Sequence, residues 1–216
     1  MDSAATNGIN RFFSQYRLKA YHKGQILIYA RDDPAGIFFL ESGKVRKYDI
    51  DSTGVEVVLN VFRPGVFFPV SWAINKTPNR YFFEAATSIE VRRAPVEDFV
   101  AYLKDHPETT YNLLQDSFSG IENAQQRVIL LMSGSTHDRV LFELLIEGRR
   151  FGEMRGDGSC VITMGISDLA QRAGLSRETV SRELAKLMES EEVFSRVGRS
   201  FVVHDFQALE AKLSQS

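Results

Sequence analysis

The sequence predicts an α+β chain in three parts: an N-terminal β-roll of jelly-roll type over residues 1–106, one long helix with a hinge over 107–134, and a smaller domain of helices and a hairpin over 135–216. Three observations predict it. Short runs rich in β-branched and aromatic residues, separated by turn signals, fill the chain before Pro95. Apolar residues then recur at alternating steps of three and four from Tyr111 to Met132. Near the C-terminus a helix–glycine–helix segment, 166–189, precedes two apolar runs that flank a turn.

The strand-like runs are 25–29, 36–40, 44–48, 55–62 and 89–93. Clusters of Gly, Pro, Asp and Ser at 22–24, 32–36, 41–43, 51–54 and 63–65 punctuate them. Many short strands at this spacing suit a barrel or jelly roll. Phenylalanine comes in pairs, such as Phe38-Phe39 and Phe67-Phe68. Neighbours on a strand point to opposite faces, so both faces need apolar cover.

The pattern changes at Pro95, where proline followed by Glu97 and Asp98 marks a helix start. Pro107 starts a second helix, whose interior lacks further proline and holds one glycine, Gly120. Tyr111, Leu114, Phe118, Ile121, Gln125, Val128 and Met132 then form an a/d seam. Such a helix is about 39 Å long, more than a small roll covers. The seam Leu114, Phe118, Ile121, Gln125, Val128, Met132 is therefore expected to pair with a second copy of itself, with Gln125 fixing register. Ser133-Gly134-Ser135 ends the helix and is the hinge candidate, and Ser135 with Asp138 forms a capping box.

Composition excludes several classes. A formal net charge of −2 and a pI near 6.1 lack the basic footprint of many nucleic-acid binders. No apolar run approaches the ~18 residues of a membrane span. Residues 1–10 are polar, so no secretory signal is expected. Cys160 stands alone, which excludes an internal disulfide and a thiolate-only metal site. A soluble, cytoplasmic protein is expected.

The segment 166–189 carries the function. Ser167 is expected to cap a first helix with Leu169 and Ala173 buried and Ala170 at a close crossing. Gly174 ends it as a left-handed residue, and Leu175 fills the gap. Ser176 caps a second helix whose apolar stripe is Val180, Leu184 and Leu187. This is a helix-turn-helix, whose second helix enters the DNA major groove by its N-terminal end. Arg177, Glu178, Ser181 and Arg182 on its outer face are base-reading types: Arg bonds guanine O6 and N7, and Glu accepts from cytosine N4. The runs around Gly198 read as a hairpin wing whose Arg196 or Arg199 reaches phosphate.

Ser176-Arg177-Glu178-Thr179-Val180-Ser181-Arg182 followed by that wing resembles the winged helix-turn-helix of the CRP/FNR family of transcription regulators. The resemblance covers nearly the whole chain: residues 22–24, 37–43 and Pro64-Gly65 fit the family's cyclic-nucleotide-binding-like roll, and the long helix fits its dimerisation helix. It implies a homodimer on a two-fold symmetric double-stranded DNA site with TGA-containing, GTGA-like half-sites. Arg177, Glu178 and Arg182 take base-contacting positions, with Ser176, Ser181 and Arg199 completing the interface, and RNA polymerase is an implied partner. Glu183 departs from the pattern, which usually has an apolar residue there, and is expected to be partly exposed beside the wing.

The resemblance also locates a candidate ligand pocket at Phe68, Val70, Trp72, Arg80, Tyr81 and, on the long helix, Gln125. Nucleotide-binding members hold the ribose with a Gly-Glu pair and the cyclic phosphate with Arg followed by Ser or Thr. Here Pro69-Val70 and Arg80-Tyr81 stand instead, so the effector is expected not to be cyclic AMP. Arg80 could equally pair with Glu84. An iron–sulfur cluster needs more cysteines, and Cys160 reads as a buried strand residue. Haem would need one of the scattered histidines, His22, His106, His137 or His204, or a methionine. The cofactor is therefore unknown, and an unidentified apolar or anionic metabolite, or no effector, is expected. The alternatives are a cyclic-AMP-responsive regulator with a divergent pocket and a ligand-binding roll acting through a protein partner. A cupin-type metalloenzyme would need a His-rich cluster, yet His22 is the sole histidine before residue 100. Neither a nucleophile–base–acid set nor a phosphate-binding glycine loop is present, so no catalysis and no metal site are expected.

Residues 135–216 hold 11 Lys and Arg against 13 Asp and Glu. Positive charge there is local, at Arg172, Arg177, Arg182, Lys186, Arg196 and Arg199, with Glu189, Glu191 and Glu192 expected to face away.

Overall fold

A computed structural model describes residues 3–189, 194–198 and 200–214. The chain divides into two compact units, Met1–Gly120 and Ile121–Ser216. The first holds α1 (Ser3–Ser14), β1 (Leu18–Tyr21), β2 (Ile26–Ile28), β3 (Ile37–Ser42), β4 (Val45–Ile50), β5 (Glu56–Phe62), β6 (Phe67–Phe68), α2 (Val70–Asn75), β7 (Phe82–Ala85), β8 (Ile89–Ala94) and α3 (Val96–Asp105). The long helix α4 (Pro107–Ser133) begins in this unit and ends in the next.

The strands form two antiparallel four-stranded sheets, ordered β1-β8-β3-β6 and β2-β7-β4-β5. Apolar side chains of both meet between them: Phe38, Leu40 and Val91 from one, Ile28, Val45 and Phe83 from the other. Phe68 stacks on Phe62, Phe83 and Phe38 at 5.0, 5.3 and 5.8 Å. The outer face of the first sheet presents Ile37, Phe39 and Phe67 to Ile9 and Phe13 of α1 and to Phe99 and Leu103 of α3. The pairs Phe38-Phe39 and Phe67-Phe68 thus split between two cores, in the register Phe38↔Phe68 and Phe39↔Phe67. Each fully buried ring is worth about 1.5–3 kcal/mol relative to exposure. The five expected strands are present as β2, β3, β4, β5 and β8; the sequence reading missed β1, β6, β7, α1 and α2.

The second unit holds α5 (Thr136–Phe151), β9 (Glu153–Met154), β10 (Cys160–Thr163), α6 (Ile166–Ala173), α7 (Arg177–Met188), β11 (Phe194–Val197), β12 (Ser200–Val203) and α8 (Phe206–Ser214). Its sheet runs β11-β12-β10-β9. Leu141 and Leu144 of α5, Leu169 of α6, Val180 and Leu184 of α7, and Phe194 and Phe201 of the hairpin share one core. Ser135 and Asp138 form the expected capping box, each accepting from the other's backbone N–H. Cys160 is buried in β10, as expected. Ser167 does not cap α6: the N-cap is Gly165, whose extended backbone (φ −76, ψ 149) lets the helix begin at Ile166.

The seam residues Leu114, Phe118, Ile121, Val128 and Met132 are exposed on α4, and so is Gln125. Toward its start Leu113 packs against the α1–α3 core; toward its end Leu130 is buried with Phe142 and Ile146 of α5.

Candidate nucleic-acid interface

The turn between α6 and α7 follows from three residues. Gly174 sits at φ 63, ψ 40, the left-handed region that a Cβ disfavours. Leu175 donates its N–H to Ala170 O at 3.0 Å and packs into the domain core. Ser176 Oγ accepts from Thr179 N at 3.2 Å and caps α7. With Val180, Glu183, Leu184 and Leu187 turned inward, Arg177, Glu178, Ser181 and Arg182 lie together on the exposed face. Among the described residues neither arginine is in an ion pair. The Glu178 carboxyl is held below its usual range by a backbone N–H at the helix start, then by Ser176 and by Arg177. It is therefore an ionised acceptor at neutral pH.

The hairpin β11–β12 is the expected wing. Gly198 turns it at φ 61, and exposed Arg196 donates Nε to Gly198 O at 3.1 Å. Arg199, Glu191 and Glu192 lie outside the described residues; Glu189 is exposed.

Two charged residues differ from expectation. Glu183 is buried, not partly exposed: its carboxylate accepts from Lys186 Nζ (3.0 Å) and Thr136 Oγ1 (3.3 Å) and contacts His137 Nδ1 (3.3 Å). Burial raises its pKa, but these partners outweigh that and the net shift is downward. Arg172 does not face outward as free charge: it donates to Glu147 at 2.7 Å in a pair 12% and 3% exposed. Neither was legible, because Glu147, the partner of Arg172, and Thr136 and His137, which join Lys186 around Glu183, lie on α5, 25 to 47 residues away in sequence.

In the first unit a cavity of about 1080 Å³ opens among β4, β7 and the loops before and after α2. Trp72, Arg80 and Tyr81 line it as expected. Phe68 does not, being taken up by the aromatic stack between the sheets. Val70 is absent from the lining and packs on the α1–α3 core, while Gln125 is exposed on α4. Arg80 does not pair with Glu84, which instead accepts from Arg46 at 2.7 Å.

The lining brings in Arg31, Lys47 and Asn79, which the sequence reading missed. Lys47 Nζ sits 3.9 Å from the Tyr81 ring centroid, and burial pushes its pKa down. Strand parity could have found it, since Lys47 shares a strand face with buried Val45. Asn79 is 5% exposed; its side-chain amide donates to Tyr29 O and Tyr81 O, and its backbone carbonyl accepts from Arg31 N. It thereby ties together the two loops that carry Arg31 and Arg80. Arg31 is held at φ 72, a conformation a non-glycine residue adopts only at a cost.

A capped recognition helix beside a wing, preceded by a β-roll with a charged cavity, defines a DNA-binding regulator with a sensor domain. Residues 18–106 match the family model of the cyclic nucleotide-binding domain and residues 139–212 that of the Crp-like helix-turn-helix domain. Together they span well over half of the chain, which belongs to the CRP/FNR family of transcription regulators. It is a DNA-binding regulator, not an enzyme. It is 25% identical to the global nitrogen regulator of Synechocystis sp. over 91% of this chain and 88% of that one. To the nitrogen fixation regulation protein FixK of Azorhizobium caulinodans it is 29% identical, over 80% and 69%. A CooA mutant from Carboxydothermus hydrogenoformans shares the fold with a TM-score of 0.75 at 19% identity, over 93% and 89% of the two chains. No helix among the described residues is long and apolar enough to cross a membrane.

Proposed function

We propose that the chain acts in the cytoplasm as a homodimer that binds a two-fold symmetric site with TGA-containing, GTGA-like half-sites. The observation that carries this reading is the single exposed face of α7, where Ser176, Arg177, Glu178, Ser181 and Arg182 cluster at the helix N-terminus. Arg199 of the wing supplies phosphate contact, and RNA polymerase is the partner at the promoter. The exposed seam Leu114, Phe118, Ile121, Gln125, Val128 and Met132 supports pairing through α4: five apolar side chains, interrupted by Gln125, leave a stripe that water covers poorly.

The effector is an anion other than cyclic AMP. Arg31, Lys47 and Arg80 line the cavity against one acid, Asp49, and position 70 offers no carboxylate for ribose hydroxyls. Binding that favours one arrangement of the dimer shifts the DNA-competent population. Selection of bound DNA from a random pool tests the interface: Glu178→Ala should relax preference at one base pair by about 1–3 kcal/mol, and an unchanged motif overturns the assignment. A thermal shift of several degrees with micromolar cyclic AMP would overturn the effector reading.

A further inference from the structure

One side chain of the first unit's cavity has a chemistry that holding an anion does not use. Lys47 stands on β4, which is flanked on both sides, and its cross-strand partners are Phe83 of β7 and Asn60 of β5. Its backbone is thereby fixed, and it shares a strand face with Val45 of the core between the sheets. The Nζ atom lies 3.9 Å from the Tyr81 ring centroid, and among the described residues Lys47 is in no ion pair. The acids of the two adjoining strands are committed elsewhere: Glu84 and Glu56 accept from Arg46 at 2.7 and 2.6 Å. Asp49, the acid of the lining, accepts from Ile50 N at 2.9 Å.

An ammonium taken from water without an acid beside it is disfavoured, and burial pushes the Lys47 pKa down. Arg31 and Arg80 line the same cavity. Desolvation and a neighbouring cation are the two conditions that activate a lysine as a nucleophile. The cationic types also differ in what they hold. A guanidinium is a planar fork for carboxylate or phosphate, whereas a lysine amine adds to a carbonyl carbon. Asn79 fixes the loops that carry Arg31 and Arg80. Trp72, Tyr81 and Phe82 give the cavity flat apolar walls, and its volume of about 1080 Å³ is ample for one small molecule.

We propose that Lys47 is a covalent acceptor site, forming a reversible imine with an aldehyde whose carboxylate or phosphate group is held by Arg31 and Arg80. This rests on the anionic-effector reading and names the chemical class of that effector. The amine lone pair adds to the carbonyl carbon. Both amine protons pass to the former carbonyl oxygen, which leaves as water while the C=N bond forms. No oxidant or reductant takes part, and water reverses the step, so the site empties when the aldehyde is consumed.

The test uses full-length protein and pyridoxal 5′-phosphate, an aromatic aldehyde with a phosphate, in substoichiometric amount. Borohydride reduces any imine to a stable amine, and peptide mass mapping locates it. Lys47 should take most of the label, ahead of the other lysines, and glyoxylate, which carries a carboxylate, should label it too. Arg80→Met should slow labelling by both about tenfold, the equivalent of one charge-assisted hydrogen bond, but leave labelling by propanal, an uncharged aldehyde, unchanged. Label spread over the lysines in general, or Lys47 spared, overturns the proposal, as does an equal loss with propanal. The mapping is done on wild type, so no outcome depends on a Lys47 variant folding. Trp72 is the one tryptophan of the chain and lines the cavity, so its fluorescence reads occupancy separately. Pyridoxine 5′-phosphate has an alcohol in place of the aldehyde; it should change that fluorescence and leave no adduct. If it does so while the aldehydes leave Lys47 unlabelled, the anionic-effector reading stands and the covalent site falls. If none of these anions changes Trp72 emission or labels Lys47, both fall.

Discussion

Glu183 illustrates the residue scale. It stands on the inward face of α7, where an apolar residue would be ordinary, and is held by Lys186, Thr136 and His137. Its pKa is lowered in the folded state despite burial. The stabilisation is therefore present above the unfolded carboxyl value, ~4.3, and is lost as pH falls through the lower folded value. Glu183→Gln should destabilise by about 1–3 kcal/mol at pH 7, and denaturant titrations should show the gap to wild type closing in acid. A gap that persists at the lowest accessible pH contradicts the ionic role. Arg172→Met should cost about 1–3 kcal/mol, because buried Glu147 loses the charged hydrogen bond from Arg172, while the selected DNA motif stays the same. Arg177 and Glu178 could be placed from local pattern, since cap and stripe fix which face of a helix is outward. Arg172 and Glu183 could not: their surroundings are set by α5, remote in sequence.

At the scale of elements, the turn before α7 was legible because its requirement is local. Only glycine sits at φ 63 without strain, and Gly174→Ala should cost about 1–2 kcal/mol in thermal unfolding. The long helix was legible for a similar reason, its repeat running along one face. Phe118→Glu, which puts charge into the proposed seam, should halve the mass seen by sedimentation toward the 24.4 kDa chain; an unchanged mass would move the interface elsewhere. The missed elements are short or lack a clear period. β6 has two residues and α2 six, too few to show an alternation. In α1 the signal was present, in Ile9, Phe12 and Phe13 at helical spacing, all three packing into one core together with Tyr16 just beyond the helix.

For the whole molecule, the net charge of −2 gains a physical meaning. The second unit buries Asp138, Glu143, Glu147 and Glu183. Arg127, Arg172 and Lys186 neutralise three of these acids, while Arg177, Arg182 and Arg196 stay exposed. The acidic balance thus lies partly inside, and the outward face of α7 carries arginines. The proposed interface offers few phosphate contacts. With about two per protomer through the wing, the slope of log affinity against log salt should lie near −4. Fluorescence anisotropy across salt concentrations measures it, and a slope near −10 would mean a far larger electrostatic footprint than this face provides. The sequence by itself determined the repeat along α4, the glycine and serine of the helix-turn-helix, and the strand rhythm of the roll, because each depends on neighbours within a few residues. The tertiary structure alone decided which charges are interior and that Arg31, Lys47 and Arg80 share one cavity. Those arrangements depend on where separate elements pack, which no spacing within a single element records.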